Sequence, residues 1–168
     1  MSAVFRPIAP SDLDRILTIN TANVPEVGPL DAERLRYLVD ESTIGMAVDI
    51  DDLLVGFCLV LAPGSDYDSV NYRWFMEHHP ASLYLDRVAI DESMRGRGIG
   101  ARLYVEFGDR AAGRGCTRVR ALAPLWNAQS IAFHERLGFV GSPQRDFVGP
   151  GQDRVVFERA LPIPGSTG

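Results

Sequence analysis

Three glycines in five positions separate an apolar, strand-like segment from an amphipathic, helix-like one. The stretch reads Arg95-Gly96-Arg97-Gly98-Ile99-Gly100-Ala101. Glycine leaves the backbone N–H groups uncovered by side chains, so that they can surround an anion. The helix that follows adds the positive end of its dipole, which favours a bound negative group by about 0.3–1 kcal/mol. The stretch therefore predicts a site for a phosphate or a pyrophosphate.

The length and the charge indicate one globular domain of ordinary composition. A chain of 168 residues can bury a sizeable core. The net charge of −5 at pH 7 argues against nucleic acids and anionic membranes as partners. No apolar run approaches the roughly eighteen residues of a membrane span, and the first residues do not form a signal peptide. We therefore expect a cytoplasmic protein.

The cysteines and histidines do not suggest a metal site. Cys58 and Cys116 lie far apart in apolar or strand-like contexts, which is typical of reduced, buried thiols. His78, His79 and His134 show no metal-ligand spacing with them. We expect no metal cofactor.

The periodicity of apolar residues predicts an α/β (α+β) fold with the order β-α-α-β-β-β-α-β-α-β-β. Alternating or apolar runs predict strands at 4–8, 44–50, 53–61, 82–90, 117–123, 139–147 and 154–161. Helical patterns begin at Ser11, Asp31, the glycine stretch and Asn127. We expect a single domain over residues 1–161, a frayed tail over 162–168, and a mixed, mostly antiparallel sheet of six or seven strands with helices on both faces.

The longest segment without predicted regular structure runs from residue 63 to residue 80. Long loops inside compact domains are usually functional or disordered, and the aromatic content of this one argues against disorder. Tyr72, Trp74 and Phe75 are therefore expected to line a substrate pocket. The alternative is that these rings only pack the loop onto the body of the protein.

Two common phosphate ligands fit the glycine stretch poorly. A nucleoside-triphosphate loop needs a lysine and a hydroxyl residue after its last glycine, and the stretch has neither. Gly96-x-Gly98-x-x-Ala101 matches a dinucleotide motif, but that motif requires an acidic residue about twenty positions later. Residues 117–123 contain no acid, and three predicted strands precede the βα unit that carries the motif, although the motif belongs in the first such unit.

Two blocks in the second half of the chain resemble the GNAT superfamily of N-acetyltransferases. Arg95-x-x-Gly98-x-Gly100, after the strand that ends at Ile90, is similar to its acetyl-CoA-binding motif. The run from Asn127 through Ser130 and His134 to Gly138-Phe139 resembles the second helix that contacts coenzyme A (CoA). The resemblance covers nearly the whole chain in element order and is specific from about residue 82 to residue 140.

The resemblance implies that acetyl-CoA is the co-substrate. The N–H groups of residues 96–101 would hold the pyrophosphate, and Arg95, Arg97 or Arg102 would meet the 3′-phosphate. In the family the strand before the motif separates from its neighbour, which frees backbone groups near Val88 and Ile90 for the pantetheine amides. Asn127 and His134 share a helix face, about 10.5 Å apart along the axis, that can follow the pantetheine arm. Ser130 either contacts that arm or packs within the protein.

The implied reaction is direct attack of an amine on the acetyl thioester. An alkyl amine with a pKa near 10.4 is mostly protonated at pH 7, so that a base must accept its proton. Asp86 is the first candidate; the others are Glu77, His78, His79, Asp66 and Asp68. Family members often place a tyrosine where this chain has His134. We expect His134 either to donate a proton to the leaving thiolate or to be a partly buried polar residue.

The acceptor is left open at this stage. A small-molecule amine, a protein N-terminus and a lysine side chain are all compatible with the resemblance, and so is a homodimer. The alternative function is a non-catalytic module that binds acyl-CoA as a sensor.

Overall fold

Seven strands form one sheet in the computed structural model, which describes residues 2–165. The strands are β1 (Ala3–Pro7), β2 (Ile44–Ile50), β3 (Leu53–Leu61), β4 (Leu83–Ile90), β5 (Arg118–Pro124), β6 (Val140–Gln144) and β7 (Arg154–Ala160). They lie in the order β1-β2-β3-β4-β5-β7-β6. All neighbours are antiparallel except β4 and β5, which are parallel.

Five helices cover the two faces of this sheet. They are α1 (Leu13–Ala22), α2 (Ala32–Glu41), α3 (Val70–His78), α4 (Ile99–Gly113) and α5 (Ala128–Arg136). The first three share one apolar cluster with the sheet, and α4 and α5 pack against the other cluster. The predicted mixed, mostly antiparallel sheet with helices on both faces is confirmed.

The helix α3 corrects the prediction of an irregular segment between residues 63 and 80. The Ser69 side chain accepts a hydrogen bond from the backbone N–H of Tyr72 and so caps the helix. Tyr72 and Phe75 lie three positions apart and are 3% and 0% exposed. The helix was missed because it is short and because its two apolar anchors are aromatic residues set among polar ones.

The chain also remains packed beyond the predicted end of the domain. Ile163, inside the segment expected to fray, is 1% exposed and belongs to the cluster beneath α4. A Cβ atom at Gly108 of α4 would lie 3.3 Å from the backbone nitrogen of Ile163, so that glycine permits this close approach. Residues 166–168 of the predicted tail lie outside the described residues.

Strand β4 carries an irregularity where the site forms. Its neighbour β3 pairs Val60 with Leu85 and Leu59 with Arg87, so that Asp86 is an extra residue, a β-bulge. Leu85 belongs to the cluster under α4, whereas Asp86 and Arg87 both contact groups on the α1–α3 face. The bulge therefore directs two successive charged side chains to one face of the sheet.

If α3 is a packed helix, Phe75→Ala will lower the free energy of unfolding by about 3–5 kcal/mol, because it leaves a cavity in the core. Val70 is 61% exposed on the same helix, and Val70→Ala is the matched control, with an expected change within about 0.5 kcal/mol. Urea unfolding followed by circular dichroism measures both. Equal losses in the two variants would contradict the packing of α3.

Candidate active site

The glycine stretch forms the turn from β4 into α4. Gly96 and Gly98 both have φ of 77°, and Gly98 is the N-cap of α4. An L-residue in this conformation costs about 1–2 kcal/mol, which explains two of the three glycines. A Cβ atom at either position would meet nothing within 4 Å, so the surroundings of the turn are open. The first N–H groups of α4 have no partner within the helix and are available to a ligand.

Asp91 holds the start of this turn. Its carboxylate accepts hydrogen bonds from the Ser93 hydroxyl (2.6 Å) and N–H (2.9 Å) and an ion pair from Arg15 (2.7 Å). The hydrogen bonds from Ser93 lower the pKa of Asp91 most, and the bond from Arg15 lowers it further. Arg15 also donates to the carbonyl of Leu54 in β3. The turn is thereby fixed to α1 and to the sheet.

Asn23, at the end of α1, was not singled out by the sequence and connects three elements. Its side-chain Nδ2 donates to the carbonyls of Ile19 (2.8 Å) and Ile90 (3.2 Å). Its Oδ1 accepts a hydrogen bond of 2.6 Å from Arg95, the first residue of the predicted anion site. Nothing in the sequence marked this residue, because its partners are distant along the chain.

The parallel ladder between β4 and β5 is short. Only Leu83 with Val119 and Tyr84 with Arg120 are paired, so the two strands separate before Val88 and Ile90. The side chains of Val88 and Ile90 pack against the cluster under α4. Because of this separation, the edge of β4 between the bulge at Asp86 and the glycine turn is not paired with β5. We call the space beside this unpaired edge the cleft.

Helix α5 begins beside this cleft. Asn127 caps it, since its Oδ1 accepts from the N–H of Ser130 at 3.1 Å. The Ser130 carbonyl in turn faces Nδ1 of His134 at 2.8 Å. Asn127 thus caps the helix with its side chain, and the Ser130 backbone carbonyl accepts a hydrogen bond from His134. Neither role prevents contact with a ligand.

His134 points into the core. It is 5% exposed and stacks on Phe157 with ring centroids 4.6 Å apart. The carbonyl opposite Nδ1 can only accept, so Nδ1 carries the proton, and Nε2 accepts from the hydroxyl of Tyr104 at 2.9 Å. Burial lowers the pKa of His134 and raises that of Tyr104 well above its usual range. Both ring nitrogens are engaged, which favours packing over proton donation.

Asp86 lies on the opposite face of the sheet, with its side chain 5% exposed. Its Oδ2 accepts from Nε of Arg87 at 2.8 Å, and its Oδ1 accepts from the hydroxyl of Tyr67 at 3.2 Å. Arg87 also donates to Asn20 (3.0 Å) and to the carbonyl of Gly28 (2.9 Å) in the α1–α2 connection. The carboxylate is therefore held in place beside the bulge by one side chain of β4 and by one from the segment between β3 and α3.

The aromatic residues predicted to bind substrate have different surroundings. Phe75 is fully buried and serves to hold α3 on the sheet. Tyr72 is almost buried, but it lines an open depression of about 440 Å³ together with Tyr67, Arg73 and Glu77. Trp74 is half-buried between His78, at a centroid distance of 4.1 Å, and Phe147, at 4.6 Å.

Two of the remaining candidate bases have charged neighbours. Asp68 forms an ion pair with Arg34, which lowers the pKa of Asp68. His79 lies near Arg120, and burial lowers its pKa. Among residues 2–165, no group of three or more His, Cys, Asp or Glu side chains is arranged to hold a metal ion. None of the helices in the same range is long and apolar enough to cross a membrane.

Comparison with known proteins shows the family to which the chain belongs. The model of the Acetyltransferase (GNAT) family matches residues 13–139. The chain is 30% identical, over 89% of its length and 87% of the relative's, to the L-methionine sulfoximine/L-methionine sulfone acetyltransferase of Pseudomonas aeruginosa.

Solved structures share the fold at low identity. Ard1 from Thermoplasma volcanium superposes with a TM-score of 0.78 at 18% identity, over 96% of this chain and 99% of that one. The structure of yncA from Salmonella typhimurium, solved with its cofactor acetyl-CoA, superposes with a TM-score of 0.73 at 17% identity. The match covers 100% of this chain and 99% of that one.

The burial of His134 makes a prediction about stability and pH. Its folded-state pKa lies below the unfolded value near 6.5, so the neutral ring stabilises the fold fully above that pH. The contribution is lost as the pH falls through the lowered folded-state pKa. The stability advantage of the wild type over His134→Gln will therefore shrink between pH 7.5 and pH 5 in urea unfolding.

The exposed His78 provides the control for this measurement. The difference between the wild type and His78→Gln will vary less over the same pH range. A wild-type advantage over His134→Gln that does not change with pH would show that His134 is not held neutral in the core.

Proposed function

The chain belongs to the GNAT family of acetyltransferases, and from this premise we propose that it transfers the acetyl group of acetyl-CoA to a primary amine. The observation that carries the proposal is the glycine turn with positive φ at the start of α4, next to the cleft between β4 and β5. A helix N-terminus with open surroundings suits a pyrophosphate. A separated strand edge suits the amides of an extended pantetheine arm.

The proposed donor site combines the two blocks of the sequence. The N–H groups of residues 96–101 bind the pyrophosphate, and Arg95 or Arg97 binds the 3′-phosphate. Arg95 has further guanidinium N–H groups beside the one given to Asn23, so its hydrogen bond there orients it without occupying it. The pantetheine follows β4 past Ile90 and Val88, with Asn127 and Ser130 on the other side of the cleft.

Asp86 is the proposed base. The acceptor ammonium loses a proton to the Asp86 carboxylate, directly or through one water, and the neutral nitrogen attacks the thioester carbon. The C–N bond forms, the C–S bond breaks, and the thiolate of CoA takes up the proton that the nitrogen loses on acylation. Because a thiol has a pKa near 8.5, the thiolate leaves without a strong acid. The reaction therefore does not require a proton from His134, which the sequence left open as either a proton donor or a partly buried polar residue.

The proposed acceptor is the α-amino group of a small amino acid. The relative that is 30% identical over most of the chain is named for the acetylation of L-methionine sulfoximine and L-methionine sulfone. The nearly buried ring of Tyr67, which bonds to Asp86, and that of Tyr72, which packs on Tyr67, suit the side chain of such a molecule better than a long extended peptide.

A thiol-release assay tests the function. Acetyl-CoA is incubated with the protein and with a panel that contains L-methionine sulfoximine, L-methionine sulfone, free amino acids, and peptides with a free N-terminus or lysine. We expect CoA release that depends on a small amino acid, and mass spectrometry will show a product heavier by one acetyl group. CoA binding without release from any amine would contradict the proposed reaction.

The donor site is tested with Gly98→Val. The side chain strains the turn and covers the N–H groups, so the Kd for CoA in calorimetry will rise roughly tenfold or more. Gly115, at the other end of α4, also has positive φ (84°), and Gly115→Val imposes the same backbone strain away from the site. The control will bind CoA normally. Equal weakening in both variants would place the CoA site elsewhere.

The base is tested with Asp86→Asn. The variant will lose about 100-fold or more in kcat/KM and will keep the Kd for CoA, because the amide cannot accept the proton. Glu77, an exposed carboxylate that lines the depression, is the control, and Glu77→Gln will keep near-normal activity. A large loss with Glu77→Gln and a small one with Asp86→Asn would assign the base to Glu77.

A further inference from the structure

Residues 65–68, which we call the strap, connect β3 to α3 and lie across α2. The Ser65 hydroxyl donates to the carboxylate of Glu41 at 2.7 Å. The Tyr37 hydroxyl donates to the carbonyl of Asp66 at 3.0 Å. Asp68 forms an ion pair with Arg34. Three side chains of α2 thus hold an irregular segment in one conformation.

Tyr67 is the residue of the strap that turns inward. It is 5% exposed, and its ring packs between Tyr37 (centroids 6.2 Å apart) and Tyr72 (5.8 Å). The guanidinium of Arg34 lies over the same ring, 5.3 Å from its centroid. This packing fixes the direction of the hydroxyl, which ends 3.2 Å from Oδ1 of Asp86.

The Tyr67 hydroxyl acts as a donor at this position. Burial first, and then the charge of Asp86, raise the pKa of Tyr67 to about 12, so the phenol stays protonated at neutral pH. The other charged or titratable groups around Asp86 are Arg87, on its own strand, and the buried Tyr84. A carboxylate offers about four lone-pair directions. Two are taken by Tyr67 and Arg87, and the remaining ones can receive a proton.

We propose that Tyr67 is a positioning residue for acetyl transfer, whose hydroxyl holds the Asp86 carboxylate charged and in one orientation toward the acceptor. The inference rests on the proposed function, in which Asp86 is the base. A hydrogen bond to the charged form of a carboxylate favours that form. The strap therefore brings a second donor, beside Arg87, to the same carboxylate.

The test is the pH profile of kcat/KM, whose acidic limb reports the essential base of the free enzyme. Tyr67→Phe removes the hydroxyl and keeps the ring. We expect its acidic limb to move to higher pH by roughly one unit while the Kd for CoA is unchanged. Tyr37→Phe is the matched control: it removes a hydroxyl from the same aromatic cluster, but that hydroxyl donates to Asp66. Its acidic limb will coincide with that of the wild type, because Glu41 and Arg34 still hold the strap.

A readout without turnover separates this inference from the proposed function. In protein labelled with ¹³C at aspartate, the carboxyl carbon of residue 86 is followed by NMR between pH 2 and pH 8, and Asp86→Asn assigns the signal. Its titration midpoint will be higher in Tyr67→Phe than in the wild type and in Tyr37→Phe. Equal midpoints in all three proteins would overturn the positioning role, even in an active enzyme. A shifted midpoint in a protein without transferase activity would contradict the proposed function and leave the Tyr67–Asp86 contact established.

Discussion

The short parallel ladder between β4 and β5 is the feature on which the rest of the site depends. The sheet joins a meander, β1 to β4, to a second unit, β5 to β7, through only two residue pairs. Had the ladder continued, the backbone of β4 beyond Tyr84 would be satisfied by β5 and unavailable to a ligand. Because it stops, the glycine turn and the bulge at Asp86 lie along one edge of β4 that β5 does not pair.

The connection between α1 and α2 contacts both ends of that edge. Asn23 bonds to Arg95 and to the carbonyl of Ile90 at the glycine turn. Asn20 and the carbonyl of Gly28 bond to Arg87, which is paired with Asp86 at the bulge. The end of α1 and the residues that follow it therefore position groups proposed for the donor site and for the base. A change in this segment is expected to alter both sites together.

The parts of the site that are local in sequence were predictable. The glycines at 96 and 98 marked a turn of positive φ before a helix, and alternation of apolar residues identified all seven strands. The bulge at Asp86 was not predictable, because it depends on how β4 pairs with β3, a strand more than twenty residues earlier. Tyr67 was hidden for a similar reason, since its partner is Asp86 and its anchors are on α2.

Two aromatic signals had ambiguous meanings in the sequence. A loop rich in Tyr, Trp and Phe is compatible with a substrate wall and with a short packed helix, and Phe75 belongs to the second. A histidine at the end of α5 is compatible with a proton donor and with a core residue. The partners that decide between these, Tyr104 and Phe157, lie on α4 and β7. The burial of Phe75 and of His134 distinguishes between these interpretations, and the sequence alone does not show which individual residues are buried.

A crystal structure of the protein with CoA tests the central claim most directly, that one cleft joins the glycine turn to the base at the bulge. The structure predicts the pyrophosphate on the N–H groups of residues 96–101. It also predicts the pantetheine between β4 and β5, and the sulfur within direct or single-water reach of the Asp86 carboxylate. A pyrophosphate bound away from the glycine turn, or a sulfur separated from Asp86 by the sheet, would contradict it.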